Sequence, residues 1–377
     1  MKPLGAKWHG ERRKYWFCTL GTTGVLILLL IGCVGRNMGK LPTRAEYEKF
    51  AGLDNFADGK FQNNELVTMP NVQNDKKHGS FNMLRFLFGS ENAPASEIPL
   101  HKLTRADFVS AAADFAFYWL GHSSMIFELD GKRILIDPVF GNAAPIPWAV
   151  GRYTPPPLSL QELPEVDLVL LTHDHYDHLE YDFIDFIKER KVEYVVPLGV
   201  GARLRGWGVD AERITELNWE DEVTFNTITI TSVVSRHFSG RTLNDRNTTL
   251  WNNFIIAGRD KKIFFGSDGG YGQHFKRLGA KYGPFDLVCL EIDAWNERWP
   301  YSHLFPTQVK LAFNDLHGKK LLPIHWGVFD LAVHPWKESI HQVYSEALEN
   351  NIPILTPLTG ERTTLESVTY PWWQTVE

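Results

Sequence analysis

The chain reads as an α/β protein in which two β-sheets stack face to face and helices cover their outer surfaces. Three observations predict this. From Phe115 onward, short apolar or alternating runs recur between turn signals. Helix-length segments follow such runs in both halves of that region, and no Gly/Ser/Pro-rich spacer divides the halves. They therefore share one core. At 377 residues, 44% of them hydrophobic, the chain has the length and composition for it.

Residues 1–38 stand apart from that core. Lys2, Lys7, Arg12, Arg13 and Lys14 precede an apolar stretch from Trp16 to Val34, the layout of a signal peptide or a single membrane anchor. Leu30-Ile31-Gly32-Cys33 resembles a bacterial lipobox, whose cysteine becomes the lipidated first residue; the other reading is an uncleaved anchor with an incidental cysteine. Both tether the protein to a membrane. The basic cluster before the apolar run directs the remainder to the far side, in a bacterial cell envelope if the lipobox is real.

Residues 39–114 form an N-terminal extension expected to pack on the core. It contains a short helix at Arg44 to Phe50, turn signals at Asp58-Gly59 and Met69-Pro70, and the apolar octapeptide Phe81 to Phe88. Residues 115–377 form the catalytic domain. Strands are expected at Phe115 to Leu120, Ser124 to Leu129 and Arg133 to Ile136, the last two joined by a hairpin turn at Asp130-Gly131. Leu168 to Leu171 makes a buried strand, Tyr181 to Arg190 a helix and Val192 to Val196 a strand. The second half repeats the texture, with strands at Glu222 to Val234, Asn253 to Ala257, Lys262 to Phe265 and Asp286 to Ile292. Its helices are Tyr271 to Tyr282, Pro306 to His317 and Trp336 to Asn350. Pro306 and Pro335 lie at or just before first turns, where proline is tolerated.

The chemistry is concentrated in Thr172-His173-Asp174-His175-Tyr176-Asp177-His178, directly after the apolar strand. If that strand continues extended, His173, His175 and Asp177 point to one side, and His178 enters from another direction. Such polarity at the end of a buried strand is unfavourable without a partner. A metal centre supplies one, and the spacing suits two ions better than one. Ligand-type residues recur where later strands run out: His237, Asp268 and His325. With three cysteines, of which only Cys289 lies in the folded region, any metal is held by imidazole and carboxylate, a set that suits zinc, iron or manganese.

The order His-x-His-x-Asp-His, then His237, Asp268 and His325, resembles the metallo-β-lactamase superfamily of two-metal hydrolases over roughly Phe115 to Gly360. That resemblance implies an αββα four-layer sandwich and two Zn2+ ions, or other divalent transition metals. It implies His173, His175 and His237 as ligands of the first ion, Asp177, His178 and His325 of the second, and Asp268 bridging. It also implies Asp137 as the carboxylate that orients the histidine loop. A narrower likeness is carried by Trp119-Leu120-Gly121-His122-Ser123-Ser124, Pro155-Pro156-Pro157 with Glu162-Leu163-Pro164, Thr172 to Glu180, Gly283-Pro284-Phe285-Asp286 and Ile324-His325-Trp326-Gly327. These look like N-acyl-phosphatidylethanolamine-hydrolysing phospholipase D and its bacterial relatives. The likeness implies a phospholipid substrate and places His303 near the scissile group, as a phosphate contact or leaving-group partner, or as a structural histidine.

An ion pair of that kind lowers the pKa of water to about 7 and neutralises charge on an attacked phosphodiester. Asp268 and Asp177 then serve both as ligands and in the reaction, Asp268 as acceptor of the water proton. Arg241 and Arg298 carry guanidinium groups that match phosphate, or that form ordinary salt bridges. Two other readings remain: a hydrolase of a small phosphorylated or lactone substrate, like the ascorbate-phosphate lactonases, and a non-catalytic module, whose mark would be a missing ligand. The net charge of −6 argues against a nucleic-acid surface. Nothing in the sequence sets the oligomeric state.

Overall fold

A computed structural model describes residues 32, 34–67, 92–108, 112–146, 148–332 and 334–377. The octapeptide Phe81 to Phe88 and most of the apolar stretch from Trp16 to Val34 lie outside these residues. Among the described residues no helix is long and apolar enough to cross a membrane.

The extension contributes a small hairpin, β1 (Phe56–Ala57) with β2 (Lys60–Phe61), and the rest of the chain builds the αββα sandwich. The first sheet has seven strands: β3 (Phe115–Trp119), β4 (Met125–Leu129), β5 (Lys132–Ile136), β6 (Leu168–Leu170), β7 (Glu193–Pro197), β8 (Ile214–Leu217) and β15 (Arg362–Thr363), in the order β15-β3-β4-β5-β6-β7-β8. The second has six: β9 (Glu222–Phe225), β10 (Ile228–Val233), β11 (Asn253–Ala257), β12 (Lys262–Phe265), β13 (Leu287–Glu291) and β14 (Leu321–Ile324), in the order β14-β13-β12-β11-β10-β9. Each is antiparallel through its hairpins and parallel afterwards, the switch falling at β5–β6 in one and β12–β13 in the other.

Alternation along the strands explains the layering. Phe117 and Trp119, Ile134 and Ile136, and Leu168 and Leu170 belong to the cluster shared with the second sheet. Their neighbours Tyr118, Leu135 and Val169 belong to a cluster that includes Phe183, Ile184, Ile187 and Leu204 from helices Tyr181–Ile187 and Gly201–Gly206. A side chain of this size contributes about 1.5–3 kcal/mol on full burial. Both faces of the first sheet are thus committed to the core. On the other side, helices Gln273–Tyr282, Pro306–Asp315 and Glu338–Glu349 contribute Phe275, Leu278, Val309, Phe313, Ile340 and Val343 to the same core as the second sheet.

One strand expectation needs correction. Glu222 to Val234 is a hairpin, not one strand: Phe225 pairs with Ile228 across the turn Asn226-Thr227. Asn226 takes a left-handed φ of 55°, a conformation asparagine tolerates because its side chain bonds locally. The β-branched texture on both sides of Asn226 hides that break in the sequence. In the extension, helix Arg44–Phe50 is capped by reciprocal bonds between Thr43 and Glu46. The β1–β2 hairpin turns through Asp58-Gly59, with φ of 54° and 74°. Phe50, Phe56 and Phe61 pack on Trp219, Leu250 and Trp251 of the sandwich.

Candidate metal centre

The polar cluster forms at one edge of the sandwich, where strands of both sheets run out. Backbone N–H groups of His178 and Leu179 both donate to the His175 carbonyl, at 3.2 and 2.9 Å. The expected extended run therefore ends at His175. The chain turns there, and this turn, not strand alternation, carries Asp177 and His178 away from His173 and His175. Two adjoining groups result. Ligand atoms of His173, His175, His237 and Asp268 lie within 4.8 Å of one another, as do those of His122, Asp177, His178 and His325.

Hydrogen bonds fix which nitrogen each imidazole presents. His237 Nδ1 donates to the Ser302 carbonyl at 2.9 Å, which leaves Nε2 as a lone pair facing the centre. The Nδ1 of His178 lies 2.8 Å from Asp137 Oδ2 and that of His173 lies 3.1 Å from Thr172 Oγ1, so both again present Nε2. His173 Nε2 and His175 Nδ1 stand 2.8 Å apart, and His237 Nε2 is 3.3 Å from the same Nδ1. Three imidazole nitrogens so close suit a common cation, since donors about 2.0–2.1 Å from a tetrahedral ion lie about 3.3 Å from each other.

Asp268 faces both groups. Its Oδ1 lies 3.1 Å from His178 Nε2 and 3.0 Å from His325 Nε2, while Oδ2 lies 3.9 Å from His173 Nε2 and 3.7 Å from His237 Nε2. Asp177 Oδ2 approaches His122, His178 and His325 at 3.1, 3.4 and 3.5 Å. His178 Nε2, His325 Nε2 and Asp268 Oδ1 are buried and close enough to pair, yet none makes a hydrogen bond of good geometry. Orphaned atoms of this kind are costly unless an ion takes them up, so the donor set fits divalent metals. The electrostatics agree. Burial pushes the His178 and His325 imidazoles down, yet Asp268 and Asp177 raise both, His325 to about 10. Burial opposes ionisation of Asp177 and Asp268, but the imidazoles, His178 foremost, hold both carboxyls well below their ordinary range.

Three residues around the centre, His122, Asp137 and His325, adopt left-handed φ values of 53°, 42° and 69°. Such strain costs of order 1–3 kcal/mol at a non-glycine residue and persists only where the surroundings enforce it. Here they do: the His122 carbonyl accepts the His325 N–H at 2.9 Å and Trp119 Nε1–H at 2.8 Å. Asp137 Oδ1 and Oδ2 accept the N–H and Oγ1–H of Thr172 at 2.8 and 2.6 Å.

His122 and Glu291 join the cluster without having been singled out as site residues. Both carried the signal used for the others, a polar residue where a strand ends, but each sits outside any repeated ligand spacing. His303 is present too, its Nδ1 2.6 Å from Glu291 Oε2. Burial would lower the His303 imidazole, but the Glu291 carboxylate beside it holds it above its usual value. Arg241 is not available to a phosphate: its guanidinium is buried and donates to the carbonyls of Asn37, Asp174 and Leu179. Arg298 lies in the loop after β13, where its N–H donates to Asn296 Oδ1 at 3.0 Å.

Residues 132–326 match the family profile described as a beta-lactamase superfamily domain. An uncharacterized protein of Mycobacterium tuberculosis is 38% identical over 336 residues, covering 85% of this chain and 87% of its own. The N-acyl-phosphatidylethanolamine-hydrolyzing phospholipase D 1 of Caenorhabditis elegans is 33% identical over 261 residues, which is 64% of this chain and 73% of that one. Among solved structures, a possible metal-dependent hydrolase from Veillonella parvula superposes with a TM-score of 0.55 at 16% identity, over 68% of this chain and 100% of that one.

Proposed function

Because the chain belongs to the metallo-β-lactamase superfamily of metal-dependent hydrolases, we propose that it is a phosphodiesterase of phospholipase D type, acting on N-acyl-phosphatidylethanolamine or a related phospholipid. The observation that carries this reading is the pair of donor groups meeting at Asp268, in a chain similar to a worm enzyme whose name specifies that reaction. In this reading His173, His175 and His237 hold one cation, Asp177, His178 and His325 a second, and Asp268 contacts both. Bound there, two zinc or similar divalent ions would supply a water nucleophile at neutral pH and neutralise phosphate charge.

The chain's own residues do the rest. Asp137 and Ser302 set the nitrogens that His178 and His237 present, and Asp268, with an oxygen toward each group, accepts the proton of the attacking water. The stretch from Trp16 to Val34 would hold the catalytic domain at a membrane on its extracytoplasmic side, where tethering raises the local concentration of lipid. The test is direct. Incubation of purified protein with a panel of phospholipids and soluble phosphodiesters, with and without chelator, is expected to release phosphatidic acid and an N-acylated amine, and only without chelator. Release of free fatty acid, or cleavage of soluble diesters alone, would overturn it.

A further inference from the structure

Arg241 is not the guanidinium open to a phosphate, but its loop carries another. Three arginines around the centre are already engaged. Arg203 serves Asp174 and Asp245, Arg236 donates to the carbonyls of Leu66 and Tyr271, and Arg241 to those of Asn37, Asp174 and Leu179. Arg246 differs. Among the described residues its side chain makes no ion pair and no hydrogen bond, and its Nη1 is buried without a partner. The carboxylate next to it in sequence is taken: Asp245 Oδ2 accepts from Arg203 at 2.7 Å, and Oδ1 accepts the N–H groups of Arg241 and Thr242 at 3.0 and 2.7 Å. Burial therefore lowers the Arg246 guanidinium from its ordinary value with no neighbouring charge to raise it. A half-buried cation without a partner is costly, and a bound oxyanion would remove that cost.

The group is also held in place. Its Cζ lies 4.8 Å from the centroid of the Phe238 ring, and that ring stacks on His237 at 4.5 Å and meets His175 edge-on at 4.8 Å. One aromatic ring thus separates the guanidinium from two imidazoles of the first donor group. The backbone beside Arg246 is pinned through Asn247, whose N–H donates to the Ser239 carbonyl at 3.0 Å and whose carbonyl accepts the Phe61 N–H at 2.8 Å. A cation fixed before its ligand arrives loses little freedom on binding. We propose that Arg246 is an anion-binding residue at the rim of the metal centre, its planar fork taking a carboxylate- or phosphate-type oxyanion. Within the phospholipase reading, on which this source of the anion rests, the oxyanion is a second charged group on the headgroup, beyond the scissile phosphate. A headgroup carboxylate lies only a few bonds from the phosphorus, a short reach such as one intervening ring requires. The other source is free phosphate from solution.

Two variants separate this role from packing. Arg246→Met keeps a long apolar side chain on Phe238 and removes the charge, whereas Arg246→Lys keeps the charge and removes the fork. The first measurement is kcat/KM for N-oleoyl-phosphatidylserine relative to N-oleoyl-phosphatidylethanolamine, lipids that differ by one carboxylate, in the same neutral micelles. Wild type should favour the serine lipid by about tenfold or more, the worth of one charge-assisted contact. Arg246→Met should bring the ratio within about threefold of unity, and Arg246→Lys should fall between. The second measurement follows the arginine Nε–H signals as inorganic phosphate is added, with chloride at matched ionic strength as reference; the Arg246 signal is the one missing from both variants. A shift specific to phosphate is expected. A changed lipid ratio without that shift assigns the anion to the headgroup, and the shift without lipid discrimination assigns it to solution. A ratio that Arg246→Met leaves unchanged, together with an Arg246 signal indifferent to phosphate, would overturn the proposal and reduce the stack on Phe238 to packing. If wild type cleaves neither lipid, the phospholipase reading falls, and the phosphate shift alone decides for or against Arg246.

Discussion

Asp268 is where the two donor groups meet, so its replacement tests both at once. Asp268→Asn keeps the volume and removes the charge that opposes two cations. Elemental analysis should then show loss of bound metal, with affinity falling by more than the roughly 10–100-fold that outer partners of a metal cost. His122→Phe asks a narrower question. It retains a ring against His325, whose centroid lies 3.9 Å away, but removes the Nε2 that approaches Asp177. Titration against a chelator should show one ion weakened by about 10–100-fold and the other unaffected. The two variants also mark what was legible in the residues. Asp268 sits in an ordered series of histidines and carboxylates that names itself, whereas His122 and Glu291 are single polar residues whose meaning depends on folding across the sandwich. Arg241 shows the opposite failure: residue type suggested an anion partner, and burial gave the guanidinium to backbone carbonyls.

At the scale of elements, the turn that carries the histidines is held from behind. Arg203, 1% exposed, donates to Asp174 from Nε and Nη2 at 3.2 and 3.0 Å and to Asp245 from Nη2 at 2.7 Å. Its Nη1 donates to the Met38 carbonyl at 2.9 Å, while Trp207 Nε1 donates to that of Arg36 at 2.8 Å. The segment leaving the apolar stretch is therefore strapped to the back of the metal loop. Arg203→Ala leaves Asp174 and Asp245 buried without their cation and should destabilise the fold by about 3–5 kcal/mol in chemical denaturation, the cost of breaking a buried pair. A second test sets two effects against each other at Gly279, within helix Gln273–Tyr282. Alanine there gains about 1 kcal/mol of helix propensity, but its Cβ would run into the Asp315 carbonyl at the end of the neighbouring helix. Backbone cannot yield as a flexible side chain can, so Gly279→Ala should destabilise by about 1–3 kcal/mol. The long helices and hairpins were legible because period and turn residues agree locally. Short pieces such as β8 and β15 owe their existence to a neighbouring strand and left no local signal.

For the whole molecule, the centre is a charge balance set at the rim of two sheets, and protons and metal ions compete to satisfy it. Without ions, the carboxylates of Asp177 and Asp268 and the imidazoles of His178 and His325 hold one another in their charged forms. The stability of the sandwich depends on pH with a definite sign. The two imidazoles have folded-state pKa values above the unfolded value of about 6.5, so their contribution is complete below that pH and is lost as pH rises toward the value of about 10 held by His325. If those nitrogens hold an ion, as proposed, the loaded protein carries no proton there and does not suffer that loss. The melting temperature of the chelated protein should therefore fall relative to the loaded one between pH 7 and pH 9, and the gap should widen with pH. Its size follows from mass action: an ion present at a thousand times its Kd adds about 4.1 kcal/mol. With an unfolding entropy of about 2.1 cal/mol/K per residue for a chain of 377 residues, that is roughly 5–6 °C per ion. Calorimetry at three pH values, with bound metal measured alongside, checks both the size and the trend. A gap that narrows with rising pH would mean that His178 and His325 do not surrender protons to the ions, and the second donor group would lose its place in the centre.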